Sequence, residues 1–260
     1  LDRKYLFDEV AINYDKRRAN YGIQLFDDIM DYSGITADKS IIEVGCGTGK
    51  ATGPFLEKGC NVTAIELGKN LASYTKRKYK GYSDLKVIQS SFEDYECSDN
   101  KFDMLYSATA FHWIPPEIGY KKAYRIIKNG GTLALFWSKS SVNDDLLYRK
   151  IQSIYNKFLP QWGSDKTKNN QASRYPIIQK QMAEYGFTDF QSHLYHNTRA
   201  MTGEEYIELL DTYSDHRALD KIIRVPLYNS IKTAIEESGN ELIINDTVDL
   251  YLARKTGLEL

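Results

Sequence analysis

At 260 residues, with 34 basic and 35 acidic side chains and a net charge of −1, the chain is long enough to bury roughly 70–75 % of its unfolded surface without staples, and it lacks the basic balance of a nucleic-acid-binding surface. Three scattered cysteines, Cys46, Cys60 and Cys97, make neither a disulfide framework nor a metal-ligand cluster and point to a reducing compartment. No apolar run approaches the ~20 residues of a membrane span, and the first residues, Leu-Asp-Arg-Lys, carry no signal-type apolar stretch, so the expected location is cytoplasmic.

Strand-like and helical patterns alternate through the first half. Residues 41–44 (IIEV) read as a strand and run directly into Gly45, Gly47 and Gly49. Glycines at alternate positions let a ligand lie against the backbone and permit the positive φ of a tight turn. A helix is expected to begin near Lys50, over 50–58, with its first amides facing the same crevice. The spacing is G-x-G-x-G: a dinucleotide fingerprint would need glycine at position 50, which is Lys, and no P-loop run occurs. A second strand over 61–66 (NVTAIE) ends in Glu66, an acid placed to accept both hydroxyls of a ribose. A Lys-rich helix over 69–80, strands over 85–89 and 102–107, an amphipathic helix over 117–128 stopped by Gly130-Gly131, and a strand over 132–137 (TLALFW) follow. This alternation predicts a mostly parallel sheet covered on both faces, with ligands at the carboxyl ends of its strands near the switch in strand order.

Beyond residue 138 the pattern is less regular. Helices are expected at 143–159 and 174–185 around a polar, mobile loop at 163–172, then a strand over 187–196, helices over 202–214 and 226–238 with Pro226 in the first turn, and a closing strand over 248–253. Many of the twenty tyrosines fall in this part, where they either line a pocket or fill the core.

The run hh(D/E)hGxGxG at 41–49 resembles motif I of the class I S-adenosylmethionine-dependent methyltransferases. The ordered set of Ser91-Phe92-Glu93-Asp94, then 107–114 (SATAFHWI), then 129–137 (NGGTLALFW) resembles a small-molecule branch of that family, the trans-aconitate-methyltransferase-like enzymes (methyltransferase type 11). Residues 14–21 (YDKRRANY) are similar to the branch signature YDxxRPxYP, with Ala19 and Gly22 in place of its prolines, and Thr212-Tyr213-Ser214 also fits. The resemblance implies a Rossmann-like α/β fold, with a seven-stranded sheet, helices on both faces and a helical C-terminal lid. It divides the chain into an N-terminal helical cap (1–35), a cofactor-binding core (36–140), and remaining strands with an acceptor-side lid (141–260), all within one structural domain.

The resemblance also implies the cofactor set. Tyr14 and Arg18 take the carboxylate of S-adenosylmethionine, although Arg17 and Arg18 also read as a plain basic helix. Gly45, Cys46 and Gly47 form the turn, and Glu66 and Leu67 take the ribose. Glu43 beneath the turn either holds loop amides or acts through water on the ammonium group. The loop after the third strand holds the adenine; its usual acid is replaced by Ser91, Glu93 is an alternative, and Phe92 supplies a backbone donor or is simply core. Ala108 offers a carbonyl to the ammonium group, and His112 and Trp113 sit where the methyl emerges.

In-line displacement of a sulfonium methyl requires positioning more than chemistry from the protein, so no catalytic residue and no metal are assigned. His112, Tyr213 and His216 are base candidates only for an acceptor that must lose a proton. The expected enzyme methylates a small molecule, a carboxylate or a hydroxyl, and releases S-adenosylhomocysteine. It binds no nucleic acid and no membrane, and is a monomer or weak homodimer. The alternative is a non-catalytic module that binds S-adenosylmethionine or S-adenosylhomocysteine. A nicotinamide-dependent oxidoreductase and a macromolecular acceptor are disfavoured.

Overall fold

The structure, a computed structural model, describes residues 11–142, 146–162 and 174–257. The polar loop expected at 163–172 and the first residues of the helix expected from 143 lie outside this range. Seven strands form one mostly parallel sheet with one antiparallel hairpin, in the order β3-β2-β1-β4-β5-β7-β6. They are β1 (Ser40–Val44), β2 (Asn61–Glu66), β3 (Leu85–Gln89), β4 (Phe102–Ala108), β5 (Ile127–Val142), β6 (Phe187–Met201) and β7 (Leu242–Lys255). The parallel pairs include β1 with β2 and with β4, β2 with β3, and β4 with β5. Strand order therefore reverses direction between β1 and β4, the switch point at which such sheets bind ligands.

The chain groups into two compact units, one of Asn20–Ser138, Gln171–Tyr195 and Val248–Leu260, the other of Leu1–Ala19, Lys139–Asn170 and His196–Thr247. In the larger unit the period of two along each strand divides the core. Ile42, Val44, Leu105, Leu133, Leu135 and Trp137 face one cluster, with α5 (Pro116–Ile126) and α7 (Arg174–Glu184). Ile41, Met104, Tyr106, Ala134 and Phe136 face the other, with α2 (Ile23–Ser33) and α3 (Thr52–Glu57). The stripe of α2 is Leu25, Phe26, Ile29 and Tyr32, all buried, at the spacing of one helical face.

The smaller unit packs α6 (Leu146–Phe158), α8 (Gly203–Leu210) and α10 (Lys221–Glu236) around Ile151, Leu209, Leu227, Ile231 and Ile235. It also holds the short α1 (Ala11–Arg17) and α9 (Ser214–Arg217). Helix α8 starts on a capping box, Thr202 with Glu205. Arg17 on α1 pairs with Glu205 and Glu208 on α8. Of the tyrosines here Tyr206 is buried, whereas Tyr155, which stacks on Trp162, and Tyr213 and Tyr228 are half-buried against this core.

Several elements differ from the sequence expectation: β5, β6 and β7 run longer, over 127–142, 187–201 and 242–255, and the helix expected over 202–214 divides into α8 and α9. Helix α3 begins at Thr52 and is only six residues long, because Gly53 and Pro54 are poor helix formers. Gly130-Gly131 does not stop a helix. Helix α5 ends at Ile126, and the glycines form an irregularity within β5, where pairing jumps from Phe102↔Ile127 to Met104↔Thr132. A Cβ on Gly131 would meet the Asp103 carbonyl at 2.7 Å. Helix α10 starts at Lys221, where Asp220 caps it by accepting from the Ile222 N–H, so Pro226 lies inside the helix and not in its first turn.

Candidate functional site

The glycine turn after β1 is held from two sides, by β2 and by α4 (Lys69–Lys78) with the residue after it. Ile65 of β2 accepts from the Gly45 and Cys46 amides at 2.9 and 3.1 Å. From α4 and the residue after it, Thr75 donates to the Gly47 carbonyl (2.7 Å), Lys78 to that of Thr48 (3.3 Å) and Tyr79 to that of Gly49 (2.8 Å). Each carbonyl of 47–49 is thereby tied back towards α4. Gly45 has a φ of +73° and a Cβ there would fall 2.4 Å from Ala110, the loop residue after β4, so a side chain is excluded by both backbone and neighbour. The Cys46 side chain points into a small cluster with Ala64, Ala72 and Val87.

Glu66 is buried, and each of its oxygens accepts one backbone amide, Oε2 from Gly47 and Oε1 from Gly68, both at 2.8 Å. Two charge-assisted bonds fix the carboxylate between the end of β2 and the turn. Leu67 follows, half-buried. Glu43 lies fully buried beneath the turn. Its partners are hydroxyls, not the loop amides expected: Thr52 at 2.5 Å and Tyr106 at 3.0 Å, both on Oε2. Its Oε1 and the Thr48 hydroxyl are buried with no hydrogen-bond partner among the described residues. Burial pushes the Glu43 carboxyl up to about 8, against the pull of its two hydrogen bonds, and the Glu66 charge adds to the rise.

After β3, the Ser91 hydroxyl closes a local turn, donating to the Asp94 carboxylate (2.6 Å) and accepting from its amide (3.0 Å). The Phe92 ring is buried near Phe111 and under the Lys122 ammonium, which is the core reading of that residue; its backbone is a separate matter. After β4, Ala108 is half-buried and Thr109 takes a φ of +58°. His112 lies in a short 3-10 turn, Phe111–Trp113. Its Nδ1 accepts from the Trp137 indole at 3.0 Å, and since an indole can only donate, the neutral ring carries its proton on Nε2. One edge of His112 is exposed, yet loss of water around the ring and the Arg174 guanidinium hold its pKa down to about 4.

Tyr14 and Arg18 belong to the smaller unit. There Arg18 donates to the Thr212 hydroxyl and carbonyl, both at 2.8 Å, and lies 3.9 Å over the Tyr213 ring. His216 is also buried in that unit, between the Asp215 carboxylate on Nδ1 (3.0 Å) and the Tyr155 hydroxyl on Nε2 (2.9 Å). A carboxylate only accepts, so Nδ1 carries the proton and the Nε2 lone pair is taken by Tyr155. That occupancy leaves His216 no lone pair for base chemistry. Among the described residues no cluster of three His, Cys, Asp or Glu side chains could hold a metal ion, and no helix is long and apolar enough to cross a membrane.

The structure thus brings Glu43, Gly45, Cys46, Gly47, Glu66 and Leu67 together around one turn, with the ends of β3 and β4 beside β2 and β1. Tyr79 and Thr75 were not legible as turn-holding groups, since nothing distinguishes them within a Lys-rich helix.

Residues 42–135 match the family model described as a methyltransferase domain, and the sheet order and glycine turn are those expected of a class I S-adenosylmethionine-dependent methyltransferase. Two relatives from Schizosaccharomyces pombe run alongside most of the chain. One, an uncharacterised methyltransferase, is 21% identical over 225 residues, covering 82% of this chain and 84% of the relative. The other, an uncharacterised methyltransferase-like protein, is 26% identical over 220 residues, covering 82% and 79%. Among solved structures, the YcgJ protein of Bacillus subtilis shares the fold with a TM-score of 0.55 at 11% identity, over 91% of this chain and all of that one. The Haemonchus contortus phosphoethanolamine N-methyltransferase 2, in complex with phosphomonomethylethanolamine and S-adenosylhomocysteine, does so with a TM-score of 0.55 at 15% identity, over 96% of this chain and 57% of that one.

Proposed function

We propose that this methyltransferase binds S-adenosylmethionine at the carboxyl ends of β1 to β4 and transfers its methyl to a small molecule. The observation that carries the reading is the Glu66 carboxylate, held by the Gly47 and Gly68 amides with one oxygen on each. A carboxylate fixed in this way at the end of β2 is placed to accept from the two hydroxyls of a ribose. The turn fits the amino-acid end of the cofactor. Gly45 and Gly49 take positive φ and a Cβ on either would collide with Ala110 or Tyr79, so the turn stays bare backbone, and Glu43 Oε1 and the Thr48 hydroxyl are buried without partners among the described residues. Ala108 offers its carbonyl to the ammonium group, Ser91 or Glu93 with the Phe92 amide serves the adenine, and His112 lies toward the methyl. The reading does not rest on Tyr14 or Arg18.

When bound, the cofactor supplies a sulfonium methyl that an acceptor takes by in-line displacement. The contribution of the chain is to hold, orient and exclude water. A carboxylate acceptor needs no base, and neither His112 nor His216 has a lone pair to offer at its occupied nitrogen. Calorimetry should show S-adenosylmethionine binding in the micromolar range and no comparable binding of NADH. Loss of that difference would overturn the reading. An acceptor screen that reads S-adenosylhomocysteine release tests transfer itself, and binding without turnover on any acceptor would indicate a sensing module instead.

The ties from α4 make a further expectation. Tyr79→Phe removes the hydroxyl bond to the Gly49 carbonyl, worth about 1 kcal/mol, and keeps the ring. Affinity for S-adenosylmethionine should fall about 5-fold with little change in thermal midpoint. Unchanged affinity would show that the turn holds its shape without this bond.

A further inference from the structure

The turn that follows β3 is gripped from outside by α5. Two cations three residues apart on that helix, and so on one face, reach the chain of the turn. The Lys122 side chain is only 8% exposed and donates to the Glu93 carbonyl at 3.0 Å. Its ammonium also lies 5.3 Å over the Phe92 ring and 4.0 Å from the exposed Glu96 carboxylate. Arg125 donates to the Cys97 carbonyl at 3.5 Å and pairs with Asp99 at 2.7 Å. A buried ammonium needs a hydrogen-bond partner, and Lys122 finds it in the backbone of this turn.

That bond orients one peptide. The unit between Glu93 and Asp94 is held at both ends, its carbonyl by Lys122 and its N–H by the Ser91 hydroxyl at 3.0 Å. A peptide is planar, so two bonds on opposite edges give it one orientation and set the direction in which Glu93 leaves the chain. Other groups of the turn are already engaged. The Ser91 hydroxyl gives its proton to the Asp94 carboxylate, and the Ser91 carbonyl accepts from Tyr95 at 3.2 Å. The Ser90 amide donates to the Glu66 carbonyl at 3.0 Å, so the turn begins beside the carboxylate assigned to the ribose. Among the described residues, the Phe92 and Glu93 amides and the Glu93 carboxylate take part in no hydrogen bond of the turn. A donor N–H and an anionic acceptor thus stand side by side. The edge of an adenine is the converse, a ring nitrogen that accepts beside an exocyclic amine that donates.

We propose that Lys122 is a positioning residue that fixes this turn as the reader of the cofactor's adenine, with Glu93, not Ser91, accepting from the exocyclic amine. The proposal rests on the cofactor reading above and concerns its choice of base. Lys122 touches no ligand and acts through the Glu93–Asp94 peptide.

The test is calorimetry of the whole chain with two ligands that differ only at that edge, S-adenosylhomocysteine and S-inosylhomocysteine. In the second an oxo group replaces the amine and the neighbouring ring nitrogen carries a proton, so both hydrogen bonds are reversed in sense. Wild type should prefer the adenine ligand about 10-fold or more, the worth of one hydrogen bond to a charged group. Glu93→Gln, whose side chain can donate to an oxo group, should cut that preference about 10-fold. Lys122→Met keeps the apolar stem and removes the donor. It should weaken S-adenosylhomocysteine about 5-fold and leave S-inosylhomocysteine nearly unchanged, whereas Lys122→Arg, which keeps a cationic donor, should retain most of the preference. A purely structural lysine would lower both affinities alike, or the thermal midpoint alone, and either result overturns the proposal. So does a Glu93→Gln protein that discriminates as wild type does; this half-buried side chain supports no bond of the turn, so its variant stays informative even where Lys122→Met fails to fold. Failure of wild type to bind S-adenosylhomocysteine would instead overturn the cofactor reading beneath it.

Discussion

Glu66→Ala should lower the affinity for S-adenosylmethionine at least 100-fold, the largest loss expected from any single side chain at the turn. Two effects add. The substitution removes both acceptors offered to the ribose, each worth about 1.5–3 kcal/mol when charge-assisted. It also strips the partner from the Gly47 and Gly68 amides, which loosens the turn and the chain entering α4. The second effect is visible without ligand, as a fall in thermal midpoint of several degrees. Glu66→Gln separates the two. Its single carbonyl oxygen can serve one amide but not both, and its NH2 would face the other amide as a second donor, so affinity should stay well below wild type while the loss of midpoint is smaller. Calorimetry on both variants decides the matter. A wild-type dissociation constant in Glu66→Ala would reassign this carboxylate to a purely structural role.

Glu43→Gln should stabilise the protein, and by more the higher the pH. The folded-state pKa of about 8 stands above the ordinary value of 4.5, so between these limits the folded chain holds a proton that the unfolded chain has released. Stability from this group is complete below about pH 4.5 and is lost as pH rises through about 8, at up to ~1.4 kcal/mol per pH unit. A neutral amide has no such term. The gain over wild type is therefore under about 1 kcal/mol at about pH 5 and reaches roughly 4 kcal/mol at about pH 8, less whatever the Gln NH2 costs beside Thr52 and Tyr106. Urea midpoints of both proteins across this range provide the measurement, and a difference that does not change with pH would show that Glu43 is charged throughout.

The parts of the molecule that the sequence makes legible are those where local pattern and tertiary role agree. The run 41–49 could be read because a β-branched strand ending on alternate glycines has few other uses, and β2 and β4 carry the same strong strand pattern. Legibility failed where one signal serves two structures. Gly130-Gly131 is a helix stop in most contexts and here is a strand irregularity, a distinction that depends on pairing with β4. Pro226 signals a helix start, whereas the stronger signal was Asp220 one residue before Lys221.

The Glu43 partners were hidden for a different reason. Tyr106 lies on the neighbouring strand, and only the register Glu43↔Tyr106 brings it alongside. Asp249 was legible only as a question: a lone acid within the otherwise apolar run 248–253 (VDLYLA) asks for partners, which the fold supplies as Arg174 and Tyr251.

The Tyr79 ring has one more effect. It is wedged between two glycines: a Cβ on Gly49 would lie 2.6 Å from the ring, and one on Gly53 would lie 2.7 Å from its hydroxyl. The two are constrained differently. Gly49 has a φ of +78° and stays glycine whatever its neighbour, whereas Gly53 is an ordinary helical residue whose side chain is forbidden only by the ring. The freedom to vary at position 53 is therefore set at position 79. Gly53→Ala, harmful alone, becomes tolerable once Tyr79 is replaced by a small residue, so the two positions behave as a single unit of mutational choice although one starts a helix and the other follows a different one.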